Sequence, residues 1–329
     1  MKKYRLLARC VQASFTEEIM KTAVLDGLAV NPGDLDWSWL GDFGEYTVYD
    51  KTSDAEKLER AADCDAVITN KVTFGRTELD NLPKLKYIGV TATGFNIIDT
   101  EYAAERGVIV TNVPAYSTES VAQHTFALML EMMTEPALHS ASVKRGDWTR
   151  NNYFCYTLTP QTEIFGKTLG IIGAGAIGTR VSEIAHAFGM KTLMCGRSEK
   201  EGRVSLERVL AESDIITLHC PLNCGTERLV NRETIAKMKD GVKLINTARG
   251  GIVDEDALAD ALASGKVAYY AADVISSEPP ENNNPLICAE HTLITPHLAW
   301  ATLEARTRLM KIVEANFRAY LAGKPVNRV

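Results

Sequence analysis

At 329 residues the chain is too long for one ordinary hydrophobic core, and two domains are expected. Hydrophobic residues at 46% and charged ones at 24% suit a water-exposed globular protein, and a net charge of −6 argues against the strongly basic face that a nucleic-acid partner needs. Seven cysteines, an odd number, argue against a complete disulfide framework and fit reduced thiols in a cytoplasmic protein.

The N-terminal MKKYRLLARC meets polar residues at once and has no apolar signal region, and no run approaches the roughly 20 apolar residues of a membrane span. No membrane partner is expected. Over the first hundred residues short apolar runs alternate with polar, helix-like stretches. Ala66–Thr69 and Tyr87–Val90 read as buried strands, and 108–111 as another, ended by Asn112-Val113-Pro114. This βαβ rhythm predicts a parallel sheet. Trp37 and Trp39 read as packing residues. Ser117 or Thr118 caps a long helix through Val121, Phe126, Leu128, Met129 and Met132, which Pro136 perturbs or ends. The aromatic-rich segment 146–154 lacks a period and reads as a surface connection able to pack on a partner subunit.

From Thr168 onward the α/β pattern is plain. Strands are predicted at 168–172, 191–195, 214–218, 242–246 and 268–272, with helices between them, and Leu309, Ile312, Val313, Phe317 and Tyr320 space a final helix over Leu303–Leu321. The first of these strands runs directly into Gly173-Ala174-Gly175-Ala176-Ile177-Gly178 and a helix. Strand, glycines and helix in that order form a dinucleotide-binding turn, in which Gly173 permits the tight turn, Gly175 lets a pyrophosphate approach and Gly178 lets helix and strand pack. The diphosphate would rest on the free N–H groups of the helix starting near Ala176. The next strand ends in Gly196-Arg197-Ser198, where an acidic residue would bind ribose hydroxyls. Arg197 and Ser198 can instead take a 2′-phosphate, which favours NADP(H) over NAD(H); an Arg197 that only stacks on adenine leaves NAD(H) usable.

Three further segments each end a strand or begin the loop after it: Asn246-Thr247-Ala248-Arg249-Gly250-Gly251, Asp273-Val274-Ile275-Ser276-Ser277-Glu278-Pro279 and Thr295-Pro296-His297-Leu298-Ala299-Trp300. Strand ends of open α/β sheets converge on one crevice. Hydride transfer to a 2-oxo acid needs a proton on the same oxygen, which His297 can shuttle near neutral pH. Glu278 on the other ring nitrogen fixes the tautomer and stabilises the imidazolium. Arg249 offers a rigid fork for the substrate carboxylate and polarises the carbonyl. Taken singly, each of the three also reads as a solvated polar residue; together, behind a dinucleotide turn, they read as a catalytic trio.

Other candidates read as structural. Cys220 and Cys224 lack the second pair or spaced histidines of a zinc site, and no metal is expected. His124, His139, His186, His219 and His291 sit in no paired motif. Asp254-Glu255-Asp256 suits a helix N-terminus.

The GAGAIG turn, NTARGG, DVISSEPP and TPHLAWAT together resemble the D-isomer-specific 2-hydroxyacid dehydrogenases over essentially the whole chain. LKYIGV, TGFN, TNVPAYST, GDW, FCY and the terminal GKPVN are most similar to the glycerate dehydrogenases (hydroxypyruvate reductases) of that family. The resemblance implies two Rossmann-like domains with doubly wound parallel sheets: a flavodoxin-like substrate domain from 1–103 and 300–329, and a coenzyme domain from 104–299. It implies that Arg249, Glu278 and His297 are the catalytic trio and that Thr93 and Gly94 meet the substrate carboxylate with Arg249 and His297. Cys220, Pro221, Thr247, Ala248, Arg249, Asp273, His297 and Trp300 would surround the cofactor, Asp273 receiving the nicotinamide carboxamide. It also implies a homodimer. Hydroxypyruvate and glyoxylate are the expected substrates, giving D-glycerate and glycolate. 3-Phosphoglycerate oxidation needs extra basic residues and accompanies an appended domain for which no residues remain. A nucleotide-sensing corepressor is the rival from another class. Gly196 departs from the acidic residue of the NAD-using members.

Overall fold

The computed structural model describes residues 19–197 and 202–329. They form two compact units, one of residues up to Pro114 together with Leu309–Val329, the other of Ala115–Arg308.

The first unit is built on one parallel sheet of β1 (Met20–Val24), β2 (Gly44–Val48), β3 (Ala66–Thr69), β4 (Tyr87–Val90) and β5 (Ile109–Thr111), in the order β2-β1-β3-β4-β5. That is the flavodoxin-like order. Every residue of β3 and β4 is buried, as their uninterrupted apolar runs require of strands covered on both faces. Phe317 of the C-terminal helix meets the rings of Trp39, Phe43 and Tyr87 edge-on at 5.9, 5.5 and 5.3 Å, so the tryptophan region is packing as its composition suggested.

The unit boundaries fall later than the sequence places them. The first unit runs to Pro114 rather than 103 because β5 pairs with β4, Tyr87 opposite Ile109 and Gly89 opposite Thr111. The returning C-terminus seals it, with the Val329 amide donating to Val110 O at 3.1 Å. The second unit runs to Arg308 rather than 299. There Arg308 Nε donates to Tyr116 O at 2.9 Å, and the Ser120 hydroxyl donates to Ala299 O. Both features are pairings between distant segments, which periodicity does not report.

The second unit holds a six-stranded parallel sheet of β6 (Thr168–Ile172), β7 (Lys191–Cys195), β8 (Ile215–Leu218), β9 (Val242–Asn246), β10 (Val267–Ala272) and β11 (Thr292–Ile294). The order is β11-β10-β9-β8-β6-β7. The chain moves outward from β6 to β7, then crosses back to β8, so β6 marks the point where strand order reverses. The Thr118–Thr134 helix packs Phe126, Met129 and Met133 in one core cluster with Ile171, Ile215 and Ile245 of the sheet. It stops where Glu135 turns left-handed (φ 42°), and Pro136 then opens the Pro136–Lys144 helix, whose first turn needs no N–H from it. Ser117 stands at the N-cap position, but its side chain makes no capping hydrogen bond. The stretch expected to be irregular contains one turn of helix, Asp147–Arg150.

Candidate active site

Six strand ends of the second unit carry the candidate residues. Read across the sheet from β11 to β7, the segments leaving the carboxyl edge hold His297, then Asp273 and Glu278, then Thr247 to Arg249, then His219 to Pro221, then the glycine turn, and finally Gly196 and Arg197. The trio therefore leaves from three neighbouring strands, as the convergence of strand ends requires.

His297 Nδ1 lies 2.6 Å from Glu278 Oε2. A carboxylate only accepts, so Nδ1 carries the hydrogen and Nε2 is left to exchange a proton with a ligand. The other Glu278 oxygen accepts from the Ile275 amide at 3.2 Å, which orients the carboxylate. His297 itself is left-handed, with φ 53°. A non-glycine residue persists there only when its surroundings over-determine it, at a strain on the order of 1 kcal/mol or more.

Those surroundings centre on Asp273, which is 1% exposed. Its Oδ1 accepts from the Leu298 amide at 2.9 Å and the Thr295 hydroxyl at 2.6 Å, and its Oδ2 accepts from the Ala299 amide at 2.7 Å. Trp300 Nε1 closes the turn by donating to His297 O at 2.9 Å. Asp273 thus clasps the loop that presents His297, a positioning role that sequence reasoning missed. His124 was also missed: its Nε2 lies 3.0 Å from Thr295 Oγ1. Because that hydroxyl gives its hydrogen to Asp273, His124 Nε2 is the donor.

Arg249 is extended and exposed at the end of β9, and its guanidinium folds back to Ala248 O at 2.7 Å. Asn246, fully buried, clamps this turn at both ends: its Oδ1 accepts from the Ala248 amide at 3.0 Å and its Nδ2 donates to Arg249 O at 2.9 Å. A Cβ on Gly250 would fall 1.9 Å from the Ile275 carbonyl carbon, so only glycine lets the Arg249 turn approach the segment that bears Glu278. Thr247 is buried and its hydroxyl faces Thr125 Oγ1 at 3.1 Å, leaving its backbone, not its side chain, for a ligand. Burial pushes the Tyr116 phenol up to about 12, with the nearby Arg249 cation pulling the other way.

The glycine turn fits a dinucleotide. A Cβ on Gly173 would lie 2.4 Å from His219 O, and one on Gly178 would lie 2.0 Å from Gly173 O, so packing alone accounts for these two. Gly175 has nothing within 4 Å. Its bareness serves open space above the N-terminus of the Ala176–Ala187 helix, where no side chain caps the free N–H groups and the first turn holds no acid. Ala176 and Ile177 lie in that first turn. Burial raises the Cys220 thiol to about 11, so it stays protonated as a small apolar wall beside Pro221. Arg197 is exposed, and Ser198 lies outside the described residues.

His219 sits under the turn, its Nε2 within 2.9 Å of Thr217 Oγ1, and desolvation of the ring pushes its pKa down to about 3. An unfolded chain holds histidine near 6.5, so between those values only the unfolded state takes up the proton. Stability is therefore full above about 6.5 and falls by roughly 1.4 kcal/mol for each pH unit below it. Urea unfolding at pH 7 and pH 5 should give a wild-type loss that exceeds that of His219→Leu by about 2 kcal/mol. Equal losses would mean that another group sets the acid sensitivity.

In the first unit the Thr93 hydroxyl donates to Val113 O at 2.9 Å, and Asn112 Nδ2 donates to Thr93 O at 2.8 Å, which fixes the turn before Gly94. Buried Asp26, beyond the end of β1, accepts from the Asn70 and Lys71 amides at 2.8 and 2.6 Å and holds the loop after β3.

Residues 126–299 match the model of the D-isomer specific 2-hydroxyacid dehydrogenase NAD binding domain. Over 320 residues the chain is 45% identical to the hydroxypyruvate reductase of Blautia hydrogenotrophica, covering 94% of this chain and 99% of that protein. Among solved structures it is similar to an acyclic imino acid reductase in complex with NADPH and D-Arg, at 29% identity and a TM-score of 0.83 over 94% of this chain and all of that one. It is also similar to D-lactate dehydrogenase from Aquifex aeolicus complexed with NAD and lactic acid, at 31% identity and a TM-score of 0.78 over 92% and 96%.

Proposed function

The chain belongs to the D-isomer-specific 2-hydroxyacid dehydrogenase family, and from that premise we propose that it reduces a small 2-oxo acid, above all hydroxypyruvate and then glyoxylate, to D-glycerate and glycolate. The observation that carries this reading is the 2.6 Å contact between His297 Nδ1 and Glu278, which leaves Nε2 as the proton-exchanging atom.

A bound nicotinamide dinucleotide supplies the hydride. Its diphosphate fits the Gly173 to Gly178 turn with Ala176 and Ile177, and Cys220, Pro221, the Thr247 and Ala248 backbone, Asp273 and Trp300 are assigned to the rest of the cofactor. Arg249 binds the substrate carboxylate and draws charge toward the carbonyl oxygen, with Thr93 and Gly94 offering backbone N–H groups. As C2 gains the hydride, the carbonyl oxygen takes the proton from His297 Nε2, so the C=O double bond becomes a C–O single bond while one C–H and one O–H form. Glu278 holds the imidazolium until that step and steadies the neutral tautomer after it. NADP(H) is placed ahead of NAD(H), on the support of Gly196 and Arg197 where an acidic residue would repel a 2′-phosphate. A cytoplasmic homodimer completes the reading, supported by exposed Tyr153 and Phe154 in the segment after the Thr118–Thr134 helix.

A phosphorylated substrate demands cations at its far end. Steady-state kinetics with hydroxypyruvate and with 3-phosphohydroxypyruvate should give kcat/KM at least about tenfold higher for the unphosphorylated acid. Faster turnover of the phosphate ester would move the substrate assignment to phosphoglycerate.

A further inference from the structure

Of the three acids that open the Glu255–Ala263 helix, Asp254 caps it by accepting from the Ala257 amide at 3.1 Å. Glu255 serves a different segment. Its Oε1 accepts from the Ser276 amide at 2.8 Å and its Oε2 from Asn284 Nδ2 at 2.7 Å. One carboxylate therefore ties together both ends of the loop that follows β10 and carries Glu278. That loop has little else to place it. Residues 276–283 are all exposed, and Pro279 and Pro280 carry no N–H to pair. Its far end is firm, because buried Asn284 caps the Pro285–Cys288 helix, its Oδ1 accepting from the Leu286 amide at 3.0 Å. At the near end two successive amides go to two carboxylates, that of Ile275 to Glu278 and that of Ser276 to Glu255.

We propose, on the proton-transfer reading above, that Glu255 is a positioning residue for the reaction: by stapling Ser276 to Asn284 it sets where the Glu278 carboxylate stands against His297 Nδ1. Both partners of the staple are N–H donors, so it needs a side chain with two accepting oxygens. Ionised, that side chain also makes hydrogen bonds roughly twice as strong as neutral ones. Glutamine at 255 keeps one acceptor and turns an N–H₂ toward the other donor. Asn284 cannot turn its own amide to compensate, since its oxygen is committed to the helix cap. Glu255 touches neither His297 nor a substrate; it acts through the loop that bears Glu278.

The test is steady-state kinetics with hydroxypyruvate on the full-length wild type, Glu255→Gln, Glu278→Ala and the double variant. Unfolding midpoints are measured alongside, as is binding of 5′-ADP and 2′,5′-ADP, which carry the adenosine ends of the two cofactors. Glu255→Gln should lower kcat by about 10- to 100-fold, the effect of displacing a working group by about 1 Å, with KM and nucleotide binding close to wild type. In the Glu278→Ala background the same substitution should leave kcat almost unchanged, because the group it places is already gone, while any loss in unfolding midpoint persists. Asn284→Asp keeps an oxygen to cap the Pro285–Cys288 helix but loses the donor to Glu255, so it opens the staple from the far end and should reproduce the fall in kcat. An equal fall with and without the Glu278 side chain would overturn the proposal, because the staple would then serve the fold. A raised KM at unchanged kcat would overturn it too, tying Glu255 to the Arg249 turn, which abuts Ser276 at Gly250. Wild-type turnover matched by Glu255→Gln would defeat this inference alone, whereas a wild type without turnover on any 2-oxo acid would defeat it together with the functional reading.

Discussion

His297→Asn lowers kcat by about 10²- to 10⁴-fold, the range of a positioned general acid, and leaves 2′,5′-ADP binding unchanged. Asparagine is the appropriate replacement because it tolerates the left-handed backbone that His297 adopts at φ 53°, so the loop keeps its shape while the proton donor is lost. Glu278→Gln gives a smaller loss. The amide still accepts from Nδ1–H but no longer stabilises the charged ring, so its effect should lie between wild type and His297→Asn across the pH profile. Single-turnover measurements with saturating cofactor read the chemical step directly. A kcat within threefold of wild type for His297→Asn would remove the histidine from the chemistry.

The second large effect is expected at a residue that touches no substrate. Asp273→Ala leaves the Leu298 and Ala299 amides and the Thr295 hydroxyl without their acceptor inside a buried site. Breaking a buried, charge-assisted network of this kind costs about 3–5 kcal/mol. The left-handed turn at His297 then loses the contacts that over-determine it, and kcat falls together with the unfolding midpoint. Asp273→Asn keeps the shape but turns an amide N–H₂ toward groups that are all donors, so it should fall between the two in both measurements. Asp273→Asn combined with His297→Asn separates positioning from stability: if Asp273 acts through the histidine, the double variant is no slower than His297→Asn alone. Additive losses in kcat would mean that the clasp serves the fold and not the proton donor.

The parts of the molecule that repeat locally were legible in the sequence. Uninterrupted apolar runs at Ala66–Thr69 and Thr168–Ile172 became strands, and the order of strand, glycines and helix located the dinucleotide turn. His297 and Glu278 were legible because their chemistry needs a partner and both follow strand ends. Other features depend on contacts between distant segments. The Asp273 carboxylate meets donors 22 to 26 residues further on, and His124 reaches Thr295 across 171. The place of β5 in the first unit depends in the same way on its ladder with β4. Pairs of residues 171 apart have no period, and only the folded chain brings them together.

One measurement meets the central claim most directly: oxidation of reduced nicotinamide cofactor by the wild-type protein at neutral pH, with hydroxypyruvate as the acceptor and the configuration of the product determined. Hydroxypyruvate-dependent turnover that yields D-glycerate, and that is lost in His297→Asn, is the expected result. Tight dinucleotide binding with no turnover on hydroxypyruvate, glyoxylate or any other 2-oxo acid would contradict it and mark the chain as a nucleotide-sensing binding protein.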